Sequence, residues 1–336
     1  MADYRGIRGV TIPSVAGDPG TIALGDIWYN NVARVIKVGQ TTAAAWASGG
    51  DLNQARSETC GCGLQTAAMI IGGDGGAAHP NPTPAIGETE IYDGSSWTEA
   101  NDLNTVRDNP AGNMGTTAAA LVAGGGPQAA APGVVDNAET WNGTSWTEVN
   151  DLNVAKGAGG GSGTSTAAIH FGGGTMGALL TAEVWNGTSW TEVNDMNTAR
   201  VWLGNAGDTS TAALAFGGSP GNNANSETWD GSSWTEGNDL NTGRRYPAGT
   251  GSSTLALGCS GYVTDGVVTV VEQYDGTSWT EIADVSLGRF NAGAAGTTSA
   301  GLIAAGAAAV PAAWTPRVNT EEFTGAFAAA ATVTSS

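Results

Sequence analysis

The chain has 336 residues, with 53 glycines, 12 tryptophans and only 13% charged side chains. That glycine content disfavours long helices, at about 1 kcal/mol per interior glycine relative to alanine; no G-x-y period points to collagen, and the tryptophans argue against simple disorder. Acidic residues number 31 and basic residues 12, a formal charge of −19 that repels a phosphate backbone, so no nucleic-acid partner is expected.

The first residues, MADYRGIRGVTIP, lack the apolar core of a signal peptide. No stretch reaches the roughly 18 apolar residues of a membrane span, so cytoplasmic synthesis without membrane insertion is expected. Residues 22–38 alternate around a polar Tyr29-Asn30-Asn31 turn and predict a small β-hairpin. Residues 1–40 lie outside the repeat that follows. Cys60 and Cys62 point the same way along a predicted strand, and with Cys259 they leave an odd thiol; buried fillers are expected, not a disulfide framework.

From Thr41 onward the chain repeats. ETWNGTSWTEVNDLN begins at Glu139, EVWNGTSWTEVNDMN at Glu183 and ETWDGSSWTEGNDLN at Glu227, with looser copies at Glu90 and Glu272. A degraded copy lies at Glu322-Phe323-Thr324-Gly325. The second aromatic falls at Trp97, Trp146, Trp190, Trp234 and Trp279, spaced 49, 44, 44 and 45 residues apart, and Trp46 precedes them by 51. Each unit reads as four short strands: a Gly/Ala-rich strand a, strand b as in residues 166–173, strand c (AETW) and strand d (SWTE). Asn-Gly or Asp-Gly predicts a two-residue hairpin turn between c and d. The aromatic columns, Tyr92 to Phe323 and Trp46 to Trp279, are expected to pack between units.

One such sheet cannot bury both faces, so the units must stack as propeller blades. Six strand-b segments predict six blades. The glycine pair closing strand b, followed by an aromatic and a tryptophan, resembles the kelch repeat. The chain departs from that pattern at Gly258-Cys259 and Ala305-Gly306, and in a shorter gap between the aromatics. The expected fold is all-β: a six-bladed kelch-like β-propeller over residues 41–327, a short N-terminal β-rich anchoring segment (1–40) and a low-complexity, frayed tail (328–336). Closure is expected from strand d around Trp46 completing the last blade, or from Gly325-Ala326-Phe327.

Propeller topology puts the b–c and d–a loops on one face. The b–c loops, at 74–87, 127–137, 175–182, 219–226, 260–271 and 307–320, diverge in length and content, as recognition loops on a rigid scaffold do. The d–a loops carry D-L-N-x-x-R, placing Arg56, Arg107, Lys156, Arg200, Arg244 and Arg289 at equivalent positions near the inner rim. Two readings stand: an anion-binding ring, or pairing with repeated aspartates such as Asp102, Asp151 and Asp239. Two residues further, Trp202 and Tyr246 are expected on the side of their arginines, as a stacking platform or as core.

Catalytic signals are sparse. His79 and His170 are the only histidines, so no metal site, cofactor or enzymatic activity is expected; His170 reads as core and His79 as solvated. Residues 157–163 lack the Lys-Ser/Thr ending of a phosphate loop. The string GDIWYN resembles a segment of bacteriophage tail-fibre and appendage proteins, and D/N-G-T/S-S-W-T-E is similar to repeats in tailed-phage structural proteins. These resemblances imply a virion protein in several copies per particle, anchored to other virion proteins through residues 1–40. Its expected role is adhesion to a host-surface glycan or receptor. The alternatives are a purely structural capsid- or tail-decorating role, or a carbohydrate-active enzyme.

Overall fold

The computed structural model describes residues 12–23, 26–75, 85–126, 133–174, 177–310 and 313–332. Among them every regular element is a β-strand. The chain divides into two compact units, Met1–Ala45 with Gly325–Ser336, and Trp46–Thr324.

The larger unit holds six four-stranded sheets among the described residues, with strands a to d in order. Sheet 1 is Cys60–Leu64, Ala67–Asp74, Ala85–Tyr92 and Trp97–Glu99; sheet 2 is Gly115–Thr116, Ala119–Ala123, Ala138–Trp141 and Trp146–Val149. Sheet 3 is Gly160–Thr164, Ala167–Phe171, Ala182–Trp185 and Trp190–Val193; sheet 4 is Gly204–Thr209, Ala212–Phe216, Ser226–Trp229 and Trp234–Glu236. Sheet 5 is Ala248–Gly251, Ala256–Cys259, Val271–Tyr274 and Trp279–Glu281. Sheet 6 combines Gly293–Gly296, Ala300–Ala304 and Thr320–Thr324 with Ala45–Ser48. Its outer strand thus comes from the opposite end of the unit, the first of the two expected arrangements.

The c–d turn is longer than the two residues expected. Trp141 pairs with Trp146, leaving a four-residue loop. Asn142 Oδ1 accepts the N–H groups of Thr144 and Ser145, each at 2.9 Å, and Asp93 and Asp230 make the same turn in their sheets. The side chain closes the turn itself, so only the glycine needs a positive φ, 92° at Gly143.

Each turn brings two aromatics together across strands c and d, from Tyr92–Trp97 at 4.9 Å between ring centres to Trp229–Trp234 at 5.5 Å. These pairs fill the space between sheets, as expected. Trp141 and Trp146 pack on Cys60, Met69 and Ile71 of sheet 1, and Tyr92 and Trp97 pack on Leu302 and Ala304 of sheet 6. Each buried aromatic ring removes roughly 200 Å² from water, about 5 kcal/mol as an upper figure. Burial of these rings between the sheets is therefore a large stabilising contribution.

Backbone hydrogen bonds link the sheets as well. The second residue of the pair closing strand b donates to the carbonyl of the basic residue leading into the next sheet: Gly73 to Arg107, Gly125 to Lys156, Gly173 to Arg200, Gly218 to Arg244 and Gly261 to Arg289. Gly306 of sheet 6 donates in the same way to Arg56, at 2.9 Å, which leads into sheet 1. The register also corrects the pair in sheet 5. Cys259 is still in strand b, opposite Val271, so the pair is Ser260-Gly261. Ser260 and Ala305 tolerate φ of 56° and 62° at the first position. At the second position φ runs from 84° to 117°, beyond the left-handed values that Ser260 and Ala305 adopt, so all six copies keep glycine there.

The smaller unit is one sheet, Ser14–Val15, Ile27–Asn30, Val35–Thr42 and Phe327–Thr332 in that order. The expected hairpin is present, with Asn30 opposite Val35. Asp18 accepts hydrogen bonds from Trp28 Nε1 and Asn30 Nδ2 at its base. Residues 328–332, in the tail expected to fray, and Phe327, expected in the ring, instead pair with Val35–Thr42 from Thr42↔Phe327 to Lys37↔Thr332. The alanine run is an adequate strand once a β-rich neighbour supplies its hydrogen-bond partners.

Candidate functional site

The D-L-N-x-x-R linker builds one latch per sheet. Asn53, Asn104, Asn153, Asn197 and Asn241 give both the backbone N–H and the side-chain amide to one oxygen of a strand-c glutamate, at 2.6–2.9 Å. The same amides reach the strand-d tryptophan carbonyl. The other glutamate oxygen takes the basic residue: Arg56–Glu90 at 2.7 Å, Arg107–Glu139 at 2.7 Å, Arg200–Glu227 at 2.6 Å, Arg244–Glu272 at 2.5 Å and Arg289–Glu321 at 2.7 Å. Lys156–Glu183 is longer, at 3.3 Å.

All six basic side chains have no solvent exposure. Burial pulls the Arg107 and Arg200 groups below their ordinary range, with the facing glutamates opposing. An open cationic ring is therefore not what the linkers form. Nor are the partners aspartates: Asp102, Asp151 and Asp239 are exposed. The glutamate that opens each E-x-aromatic motif wins because strand c carries it inward beside the arginine. In sheet 6 that residue is Glu321, one before the Glu322 of the degraded copy.

Two residues past each basic group the backbone turns left-handed in every copy: Glu58, Asn109, Ala158, Trp202, Tyr246 and Asn291 have φ between 47° and 59°. Strand alternation does not hold through such a residue. This corrects the expectation that Trp202 and Tyr246 share the side of their arginines; they are half-exposed while the arginines are buried. The six turns are joined in series. Asn109 donates to the Glu58 carbonyl, Ala158 to Asn109, Trp202 to Ala158, Tyr246 to Trp202, and Glu58 to Asn291, at 2.7–2.9 Å.

On this uniform backbone the side chains differ. The pairs following the basic residues are Ser57-Glu58, Asp108-Asn109, Gly157-Ala158, Val201-Trp202, Arg245-Tyr246 and Phe290-Asn291. The first of each pair bridges the residue after the glycine pair: Asp74, Gly126, Gly174, Ser219, Tyr262 or Ala307. Each sheet thus brings three variable side chains to one place. Sequence reasoning selected Trp202 and Tyr246 and passed over Glu58, Asp108, Asn109, Arg245 and Asn291. Their signal was available, since they occupy the same repeat offset with different chemistry.

Chemistry divides this region in two. Trp202 stacks on Tyr246 at 4.7 Å and 28°, Tyr246 meets Phe290 at 5.6 Å, and Phe290 meets Tyr262 and Trp314 edge-on at 5.5 and 4.9 Å. The Arg245 guanidinium lies 4.9 Å over the Tyr262 ring. The other side is acidic. Burial pushes Glu58 up to about 8, with the Asp108 and Asp74 charges adding to it, and burial first of all raises Asp108 to about 6. Asn291 Nδ2 donates to Glu58 Oε1 at 3.3 Å.

Within the turns lies a cavity of ≈ 80 Å³ bordered by Asn109, Trp202, Tyr246 and Asn291. Asn113 closes it below, reaching across to the carbonyls of Asn205 (3.3 Å) and Gly249 (3.2 Å). Beyond Asn113 a second cavity of ≈ 230 Å³ is lined by the a–b turns, Thr116, Thr164 and Asp208 among them.

Other candidate groups sit in the core. Cys60, Cys62 and Cys259 are buried and free. Burial pushes the Cys62 and Cys259 thiols up to about 12, which keeps them protonated and unreactive. His170 is fully buried with neither ring nitrogen hydrogen-bonded, and burial, then Lys156, holds it well below its ordinary value. His79 lies outside the described residues. Among the described residues no group of three or more His, Cys, Asp or Glu is arranged to hold a metal ion. No protein-family model matches the chain, and no curated protein does either.

Proposed function

We propose that this protein is a non-enzymatic phage virion appendage whose six sheets close into a kelch-like propeller and whose loop face adheres to a host-surface glycan or protein. One observation carries the adhesive role: six equivalent left-handed turns, held by a repeated buried latch, present different side chains around one mouth. Repetition in the scaffold with divergence at the presented positions is how a recognition surface is built on a rigid fold. The virion setting rests on the GDIWYN string and on the repeat's likeness to tailed-phage proteins. Residues 1–40 would attach the protein to the particle, and several copies would raise a weak single contact by avidity. The sheet-to-sheet hydrogen bonds, including Gly306 to Arg56, support the closed six-bladed ring.

The test is binding of the fluorescently labelled chain to host cells. Exchanging loop residues 220–222 and 263–266 for glycine-serine segments, together with Trp202→Asn and Tyr246→Asn at the presented turns, is expected to abolish binding while the melting temperature stays within a few degrees. Binding that survives both the loop exchange and the loss of the turn side chains would remove the adhesive role.

A further inference from the structure

We infer that the mouth of the loop face binds an uncharged pyranose, stacked against Trp202 and Tyr246 and held by the amide and carboxyl groups of Asn109, Asn291 and Glu58. This deepens the adhesive function proposed above and rests on it. A sugar ring offers an apolar C–H face and a rim of hydroxyls. Its complement is an aromatic wall with a few fixed hydrogen-bonding groups beside it. Among the described residues such a set occurs at the cavity within the six turns. Trp202 and Tyr246 form the wall at 4.7 Å from each other and border the ≈ 80 Å³ cavity, as do Asn109 and Asn291. Glu58, hydrogen-bonded to Asn291, neighbours the cavity in the same series of turns.

Charge selects against the other glycan classes. The six cations that could have held a uronate or a sulfate are buried against glutamates. What remains beside the mouth includes Asp74 and Asp108, in a chain of net charge −19, and this field repels an anionic polymer. Of the two cations left in the larger unit, Arg245 is already stacked over Tyr262 on the aromatic side, and Arg317 is half-buried in the sheet 6 loop, its backbone bridging Arg56. Amides and carboxyls bind sugar hydroxyls equally well without requiring ligand charge.

Affinity electrophoresis of the full-length protein tests this, in gels containing dextran, laminarin or galactomannan, with alginate as the anionic comparison. At least one neutral polymer is expected to retard the protein, and alginate is not. Trp202→Asn is the informative variant, because asparagine already occupies the same left-handed position at Asn109 and Asn291. It should weaken retardation about tenfold or more, as truncating a central aromatic anchor does, at unchanged melting temperature. Asn109→Ala provides a second, independent loss. Retardation by alginate alone, by no polymer, or equally in both variants would overturn the inference. If the neutral polymers fail while labelled protein still binds host cells, only the ligand class falls. If cell binding fails too, the adhesive function falls with it.

Discussion

At the scale of single residues, the latch explains why a chain with so few basic groups repeats one in every linker. An arginine without solvent contact is tolerable only if its charge is met and its N–H groups are used. Strand c supplies a carboxylate, and the linker supplies the asparagine that holds it. Removing one partner leaves a buried charge, so Arg200→Met should cost about 3–5 kcal/mol in urea unfolding, far more than a surface change such as Glu192→Gln. A loss below about 1 kcal/mol would mean that Glu227 is relieved by water. His170 gives a pH prediction. It is neutral in the fold, whereas an unfolded histidine titrates near ~6.5. Its folded value is depressed, so its contribution is complete above ~6.5 and is lost as pH falls below that, by up to about 1.4 kcal/mol per pH unit. His170→Val, the residue at the same place in sheet 2, should flatten the fall in melting temperature between pH 6.5 and 5. An identical fall in the variant would assign the acid sensitivity to carboxylates.

At the scale of elements, the repeat made the strands legible because each sheet announces itself by its c–d turn. Tryptophan spacing located the outer strands, and the Gly/Ala runs located the inner ones. What sequence could not carry was backbone hand. The assumption of simple alternation failed at Trp202 and Tyr246, because one left-handed residue redirects everything after it. The repeat places the arginines in equivalent linkers but does not name their partners. Their glutamates lie 27 to 34 residues further on, a separation that no local pattern encodes. The closing pair of strand b gives a direct test. Gly218→Ala should cost about 1–3 kcal/mol, since φ is 103° and the new Cβ would stand 2.9 Å from the Val201 carbonyl oxygen. Ala305→Gly at the first position of sheet 6 should change stability by less than about 1 kcal/mol, because four other sheets carry glycine there with φ of 60–67°. Equal losses on thermal unfolding would contradict the role assigned to the second position.

At the scale of the whole molecule, the two termini of the larger unit meet in one sheet. Trp46 on the first strand faces Phe323 on the last at 5.1 Å, and its indole donates to the Ala283 carbonyl. Trimming the chain to residues 45–324 should therefore leave a cooperative thermal transition. Trimming four residues further, to 49–324, should uncover Phe323, which is 1% exposed, and yield aggregates by size-exclusion chromatography. Fragments of equal stability would show that the borrowed strand is dispensable. The Trp46 strand completes the sixth sheet, whereas residues 327–332, the other candidate for that place, pair within the smaller unit. Side-chain chemistry at the mouth was the least legible feature, since its members come from six distant linkers and are neighbours only when the sheets are arranged in order.

The central claim is that the loop face is displayed outward on a virion to meet a host surface. The most direct measurement is immunogold labelling of intact particles with an antibody raised against this protein, viewed by electron microscopy. Gold at the tail fibres or tail tip is the predicted result. Gold spread over the capsid, or none on intact particles, would contradict the claim.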